Sequence, residues 1–257
     1  MSIYEHYHKD EHDFVDQVLD WKNQVATQYA YKLTDFLDPR EQKILSDLIG
    51  KNDEIKVSFW GGASFVERKR AIIYPSYYEV STSDFMCTSF KVNYATKFVS
   101  IEHRNVLGSL MSLGVKREKF GDVIIEEETV QFVIDTQISD YVKVNLNKIG
   151  KASVKLIEVD SEELAKGQEQ WHEVTATVSS LRLDAILSEV YKLSRQKIVP
   201  LIKSGATKVN WKVIEQPSYE CKENDLLSVR GFGRAKILEI NGKTKKEKWR
   251  MMVGIKK

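Results

Sequence analysis

The chain has 257 residues, 42% hydrophobic and 30% charged, with four prolines and two cysteines. This composition excludes wholesale disorder and allows one to three domains with real cores. No apolar run approaches the ~20 residues that cross a bilayer, residues 1–13 lack secretory-signal features, and two isolated thiols, Cys87 and Cys221, argue against a disulfide framework, so a cytoplasmic protein is expected. The net charge of +2 conceals a segregation. Residues 171–257 carry 18 Lys+Arg against 9 Asp+Glu, and residues 1–170 carry 21 against 28. A basic module on an acidic body points at a polyanion.

In chain order, residues 10–36 read as helical from the spacing of Phe14, Val15, Val18, Leu19 and Trp21. His6, His8 and His12 lie among acids, and His8 and His12 have a metal-ligand spacing. Chain termini are often mobile and polar, and that reading is preferred, so no metal and no cofactor is expected. Asp38-Pro39-Arg40-Glu41 is a capping box that starts a helix running to Ile49 and stopping at Gly50. Strands Ile55–Trp60 and Ala71–Tyr74 are joined through Gly61-Gly62 and the run Glu67–Arg70. Without a following Gly-Lys-Ser/Thr, the glycines read as relaxing a turn rather than as a phosphate cradle. Pro75–Asp84 reads as a boundary or a long loop.

The next stretch predicts strand Lys97–Glu102, helix His103–Leu113 with Leu107, Leu110 and Met111 on one face, strands Asp122–Glu126 and Val130–Asp135, helix Ile138–Ile149 and strand Ala152–Val159. That order is β-α-β-β-α-β, a ferredoxin-like arrangement whose parallel neighbours would need right-handed crossovers. The aromatic signature of an RNA-recognition motif is absent, and Lys119-Phe120-Gly121 is a faint echo of it. Asp160–Gln170 reads as a linker or an exposed helix leading into the basic module. The expected class is α+β: an N-terminal α/β subdomain over 1–80, a ferredoxin-like domain over 81–165, and a small α+β domain over 179–257.

In that last domain a helix begins at Ser180–Leu187. Ser194 caps a second, Arg195–Lys203, which Pro200 should kink and Gly205 should end. Lys208–Val213 predicts two short strands with a tight turn. Asp225–Arg230 is another strand, and Arg234–Ile240 with Lys248–Ile255 form a hairpin through Asn241-Gly242. A helix starting at Ser194 presents free N–H groups and its positive dipole end to phosphate. Arg195, Lys197, Lys203, Lys208 and Lys212 form a strip suited to a phosphate backbone. With Arg182, Ser194, Asn210 and Arg230 they are the candidate RNA-binding residues. Arg104, Lys116, Arg117 and Lys119 form a second basic cluster, read either as a solvated face or as a second RNA contact. Trp60, Trp171 and Trp249 read as packing residues. Trp211 stays open between packing and base contact.

Arg182-Leu183-Asp184 with Leu187, Ser194-Arg195, Leu201-Ile202-Lys203-Ser204-Gly205, Val209-Asn210 and Asp225-Leu226-Leu227-Ser228-Val229 resemble the RNA-binding domain named after small-subunit ribosomal protein S four, the α-L motif. Trp211 stands where most such domains carry Gly. Upstream, Leu33–Glu41, Glu67–Ala71, His103–Gly108 and Lys116–Asp122 look like the bacterial YlmH proteins, and the resemblance covers nearly the whole chain. It implies a cytoplasmic RNA-binding protein that associates with the large ribosomal subunit, rRNA and tRNA in ribosome-associated quality control. It also implies genes near those of cell division. A non-catalytic, monomeric RNA binder without membrane contact is therefore expected. One alternative is an RNA-modifying enzyme targeted by its C-terminal domain. Pseudouridine synthases also carry Arg-Leu-Asp, but here Ala185-Ile186-Leu187-Ser188 follows instead of their threonine-serine-glycine stretch. Another alternative is a cell-division adaptor using the acidic body.

Overall fold

The computed structural model describes residues 3–50, 54–166 and 171–256. The chain divides into two compact units, Met1–Gln168 and Glu169–Lys257.

The first unit opens with helix α1 (His12–Gln28), strand β1 (Lys32–Leu37), helix α2 (Pro39–Ile49) and strands β2 (Ile55–Trp60) and β3 (Lys69–Pro75). α2 starts as its capping box requires. The Asp38 carboxylate accepts from the backbone N–H groups of Arg40 and Glu41, and the Glu41 carboxylate accepts from the N–H of Asp38. The helix expected over 10–36 ends instead at Gln28. Tyr29 turns left-handed at φ 55 and its N–H closes on the Val25 carbonyl. The following strand is covered on both faces, with Thr34, Phe36 and Leu37 all buried, so it shows no alternation to betray it. The sheet order is β1-β3-β2, antiparallel throughout. α1 and α2 cover one face through Val18, Leu45 and Ile73.

The same unit continues with β4 (Cys87–Asn93), α3 (His103–Ser112), β5 (Phe120–Glu126), β6 (Thr129–Asp135), α4 (Ser139–Asn145), the short β7 (Lys148–Ile149) and β8 (Ala152–Ser153), and β9 (Lys155–Val159). Sheet order β5-β6-β4-β9 is the ferredoxin-like topology. Three expectations are corrected. The first strand is Cys87–Asn93, not Lys97–Glu102: Thr88 and Ser89 are polar yet buried, while apolar Phe98 lies 86% exposed in a turn. The helix expected to reach Ile149 ends at Asn145, and a small hairpin follows. No neighbours are parallel, because the parallel pairs β4/β5 and β6/β9 each have an antiparallel strand between them. In α3 the inward residues are Val106 and Leu110, and Met111 is exposed.

The two subdomains expected within 1–165 share an apolar cluster of Phe36, Ala63, Val66, Ile124, Val133 and Leu164. Gly62, at φ 94, lies against Val133, where a Cβ would come within 3.0 Å of its side chain. The glycine pair thus serves close packing, not phosphate. Leu164 falls in the segment expected to be a linker or an exposed helix, and it is buried; residues 167–170 of that segment lie outside the described residues.

The second unit comprises β10 (His172–Val178), α5 (Leu183–Val190), α6 (Arg195–Lys203), β11 (Thr207–Val209), β12 (Lys212–Val213), β13 (Leu226–Val229), β14 (Gly233–Lys243) and β15 (Trp249–Lys256). Its antiparallel sheet has the order β10-β15-β14-β13-β11-β12. β10, unforeseen, precedes residue 179 and pairs along its whole length with β15. α5 and α6 bury Leu183, Ile186, Ile198 and Ile202 against Leu227, Ala235, Ile237 and Val253 on one sheet face. α6 runs on as helix through Pro200 and ends in a Schellman motif: Gly205 N–H bonds the Ile202 carbonyl and Ala206 N–H bonds the Leu201 carbonyl. Asn241-Gly242 is not the hairpin turn. β14 runs on to Lys243, which pairs with Trp249, and the turn is closed by Thr244 N–H on the Lys248 carbonyl. Gly242, at φ 82, sits in a register irregularity, the place of a bulge.

Candidate nucleic-acid interface

Arg182 occupies the N-cap position of α5, and Asp184 follows in its first turn. Arg195 is the first residue of α6. The two arginines converge on one carboxylate. Arg182 Nε and Nη2 donate to Asp184 at 3.1 Å each, and Arg195 Nη2 donates to the same group at 3.0 Å. Asp184 is 4% exposed, whereas both guanidinium groups are half exposed. Burial pushes the Asp184 carboxyl up, but the hydrogen bonds from Arg182 and Arg195 outweigh it and hold the group below the usual aspartate range. The carboxylate is thus an ionised anchor that orients two cations. A guanidinium has five N–H donors, so each arginine keeps donors for a ligand beyond those bound to Asp184.

Ser194 sits at the expected N-cap, but its side chain makes no capping bond; its carbonyl accepts from Lys197 and Ile198. Arg195 shares its side of α6 with Ile198 and Ile202, three and seven residues on, which turns it toward Asp184. Lys197, two residues from Arg195, lies on another side of the helix, and it is exposed. Lys203 is exposed in the last turn, where a cation complements the dipole.

The strip expected to continue through Lys208 and Lys212 divides. Lys208 pairs with Val213, and Val209 with Lys212, so the two lysines project from opposite faces of the hairpin. Between them Asn210 and Trp211 both have positive φ, 48 and 65, the mirror-image two-residue turn. The Asn210 carboxamide is committed to the fold rather than free for RNA. It donates to Asp225 Oδ1 at 2.8 Å and accepts from Leu226 N–H at 2.9 Å. Lys208, Ser228 and Arg234 are in register across three strands on the face away from the helices. With Trp211 and Arg230 they border an open cleft of about 350 Å³.

The second cluster is largely structural. Lys119 Nζ bridges Asp35 at 2.6 Å and Asp135 at 2.8 Å. Arg117 donates to the carbonyls of Phe120 and Gly121, and burial lowers its pKa to about 10. Arg70, 3% exposed, meets Asp135 at 3.0 Å. Lys116 is exposed, as is Arg104, which pairs with Glu102 at 2.8 Å. Phe120 of the faint RNA-recognition echo is buried. At the N-terminal end, His8 accepts from Asp10 N–H as a cap. Among the described residues no three His, Cys, Asp or Glu gather as metal ligands. No described helix is long and apolar enough to cross a membrane.

Three family models match the chain: "YlmH, N-terminal" over residues 10–78, "Putative RNA-binding domain in YlmH" over 81–163, and "S4 domain" over 181–227. A Bacillus subtilis (strain 168) protein, "Ribosome-associated protein quality control protein P2", is 49% identical over 250 residues, 97% of each chain. The chain belongs to the YlmH family. A solved structure, "Cell division protein ylmH from Streptococcus pneumoniae", is 31% identical with a TM-score of 0.53, covering 64% of this chain and all of that one. In this YlmH-family chain the α-L match contains Asp184, both of its arginines and the Trp211 turn. Arg234, which lies beyond that match, was missed by sequence reading, and strand register was the only signal that could have placed it.

Proposed function

We propose that this YlmH-family protein is a non-catalytic, monomeric cytoplasmic binder of structured RNA. It holds rRNA and tRNA on the large ribosomal subunit during ribosome-associated quality control. The observation that carries this reading is the Asp184 anchor, which presents Arg182 and Arg195 together at the start of two helices in the basic unit. Paired, pre-oriented guanidinium groups suit phosphate oxygens, and they perform no chemistry on them. The near full-length match to a protein named for ribosome-associated quality control supports the setting. Arg182, Arg195, Lys197, Lys203, Lys208, Lys212 and Arg230 are the proposed contacts, with Ser194 supplying the helix start. Arg104 and Lys116 remain as a proposed second contact.

Crosslinking the protein to RNA in cells and sequencing the bound fragments tests this. Large-subunit rRNA and tRNA should be enriched, and replacing Arg182 and Arg195 with Ala should abolish the enrichment. Enrichment of division-gene messages, or of nothing, would overturn the ribosomal reading.

A further inference from the structure

Trp211 occupies a backbone position that few large side chains tolerate. A bulky residue at φ 65 is an outlier, and such strain collects at functional sites. The turn that carries it is fixed in advance. Asn210 is clamped by side-chain hydrogen bonds to the Asp225 carboxylate and to Leu226 N–H at the start of β13, and by its own N–H on the Leu226 carbonyl. The backbone that bears the indole is therefore fixed before any ligand arrives, which lowers the ordering cost of binding.

The space beside the indole is not filled. Gly205 and Ala206 supply little side chain there, and the cleft's volume lies within the ~300–1,000 Å³ of ligand sites. Lys208, Trp211, Ser228, Arg230 and Arg234 line the cleft together, with no acidic residue among the lining residues. Lys208 and Arg230 have no ion-pair partner among the described residues. One aromatic platform inside a cationic groove is the chemistry that holds single-stranded nucleic acid, by base stacking with backbone neutralisation. A base inside a helix has both faces covered, so only an unpaired nucleotide can offer one.

We propose that the Trp211 cleft receives one unpaired nucleotide of the bound RNA, its base against the indole and its flanking phosphates on Lys208 and Arg230. This rests on the RNA-binding reading above and adds to it a selectivity for RNA with a bulged or looped-out base.

The test uses the full chain and two labelled RNA stem-loops, one with a fully paired stem and one with a single bulged purine in the same stem, followed by fluorescence anisotropy. The wild type should bind the bulged stem about tenfold more tightly. Trp211→Gly, which suits the turn, and Trp211→Leu should both lose that preference while keeping their affinity for the paired stem. Trp211→Phe should retain most of it. Independently of how any variant folds, the bulged RNA should quench wild-type tryptophan emission more than the paired RNA does. Equal affinity of the wild type for the two RNAs, or a preference that survives in Trp211→Gly, overturns the subsite and leaves the RNA-binding reading standing. Arg195→Ala with Lys197→Ala should weaken both RNAs in parallel. Binding of neither RNA by the wild type overturns both proposals.

Discussion

At the scale of residues, two buried carboxylates do different work. Asp184 aims two half-exposed arginines outward, so its removal should affect both fold and ligand. Asp184→Asn should cost about 1–3 kcal/mol in urea unfolding, since hydrogen bonds to charged groups are lost. RNA binding should weaken with Arg182 and Arg195 intact. The pH dependence has a defined sign. The folded carboxyl lies below its ordinary range, so its contribution to stability is complete above the unfolded pKa of about 4 and is lost as pH falls through the folded value. Wild-type stability should therefore fall through this acid window, and the Asn variant should lose that part of the dependence.

Asp135 works inside the first unit. It is fully buried between Arg70 and Lys119. Lys119→Ala should lower the thermal midpoint of that unit without reducing RNA affinity, whereas Lys116→Ala should leave the midpoint unchanged. A Lys119→Ala protein of normal stability and weakened RNA binding would return Lys119 to the interface. Sequence alone grouped these lysines because they share a charge and a neighbourhood. Their separation depends on Asp35 and Asp135, 84 and 16 positions from Lys119.

At the scale of elements, caps were legible and strands less so. Asp38-Pro39-Arg40-Glu41 forms the box it spells, because every bond in it is local. Gly205 ends α6 for the same reason: its φ of 71 suits a residue without Cβ. Gly205→Ala should destabilise the second unit by about 1 kcal/mol in denaturant unfolding, and a neutral result would remove the Schellman account. β1 and β4 were missed because tertiary cover on both faces of β1, and burial of Thr88 and Ser89 in β4, erase the period-two pattern. Asn241-Gly242 misled because a bulge and a turn use the same residues.

At the scale of the whole molecule, the charge asymmetry has a measurable consequence. If about six phosphates are neutralised by the basic unit, RNA affinity should fall about a thousandfold between 50 and 200 mM salt. An isotherm flat in salt would contradict phosphate recognition altogether. Residues 169–257 form a compact unit with their own core, so a fragment including β10 should fold and retain most of the affinity. A fragment starting at 179 loses the strand that pairs with β15 and should be less stable.

The sequence by itself determined the charge segregation, the capping box of α2, the βαββαβ order apart from the place of its first strand, and the spaced residues of the α-L motif. All of these rest on composition or on neighbours a few positions apart. Only the tertiary structure decided which cations face solvent, which are bound to buried carboxylates, and that Trp211 borders an open cleft. Those outcomes depend on pairing between strands distant in sequence, where one step of register exchanges the two faces of a sheet.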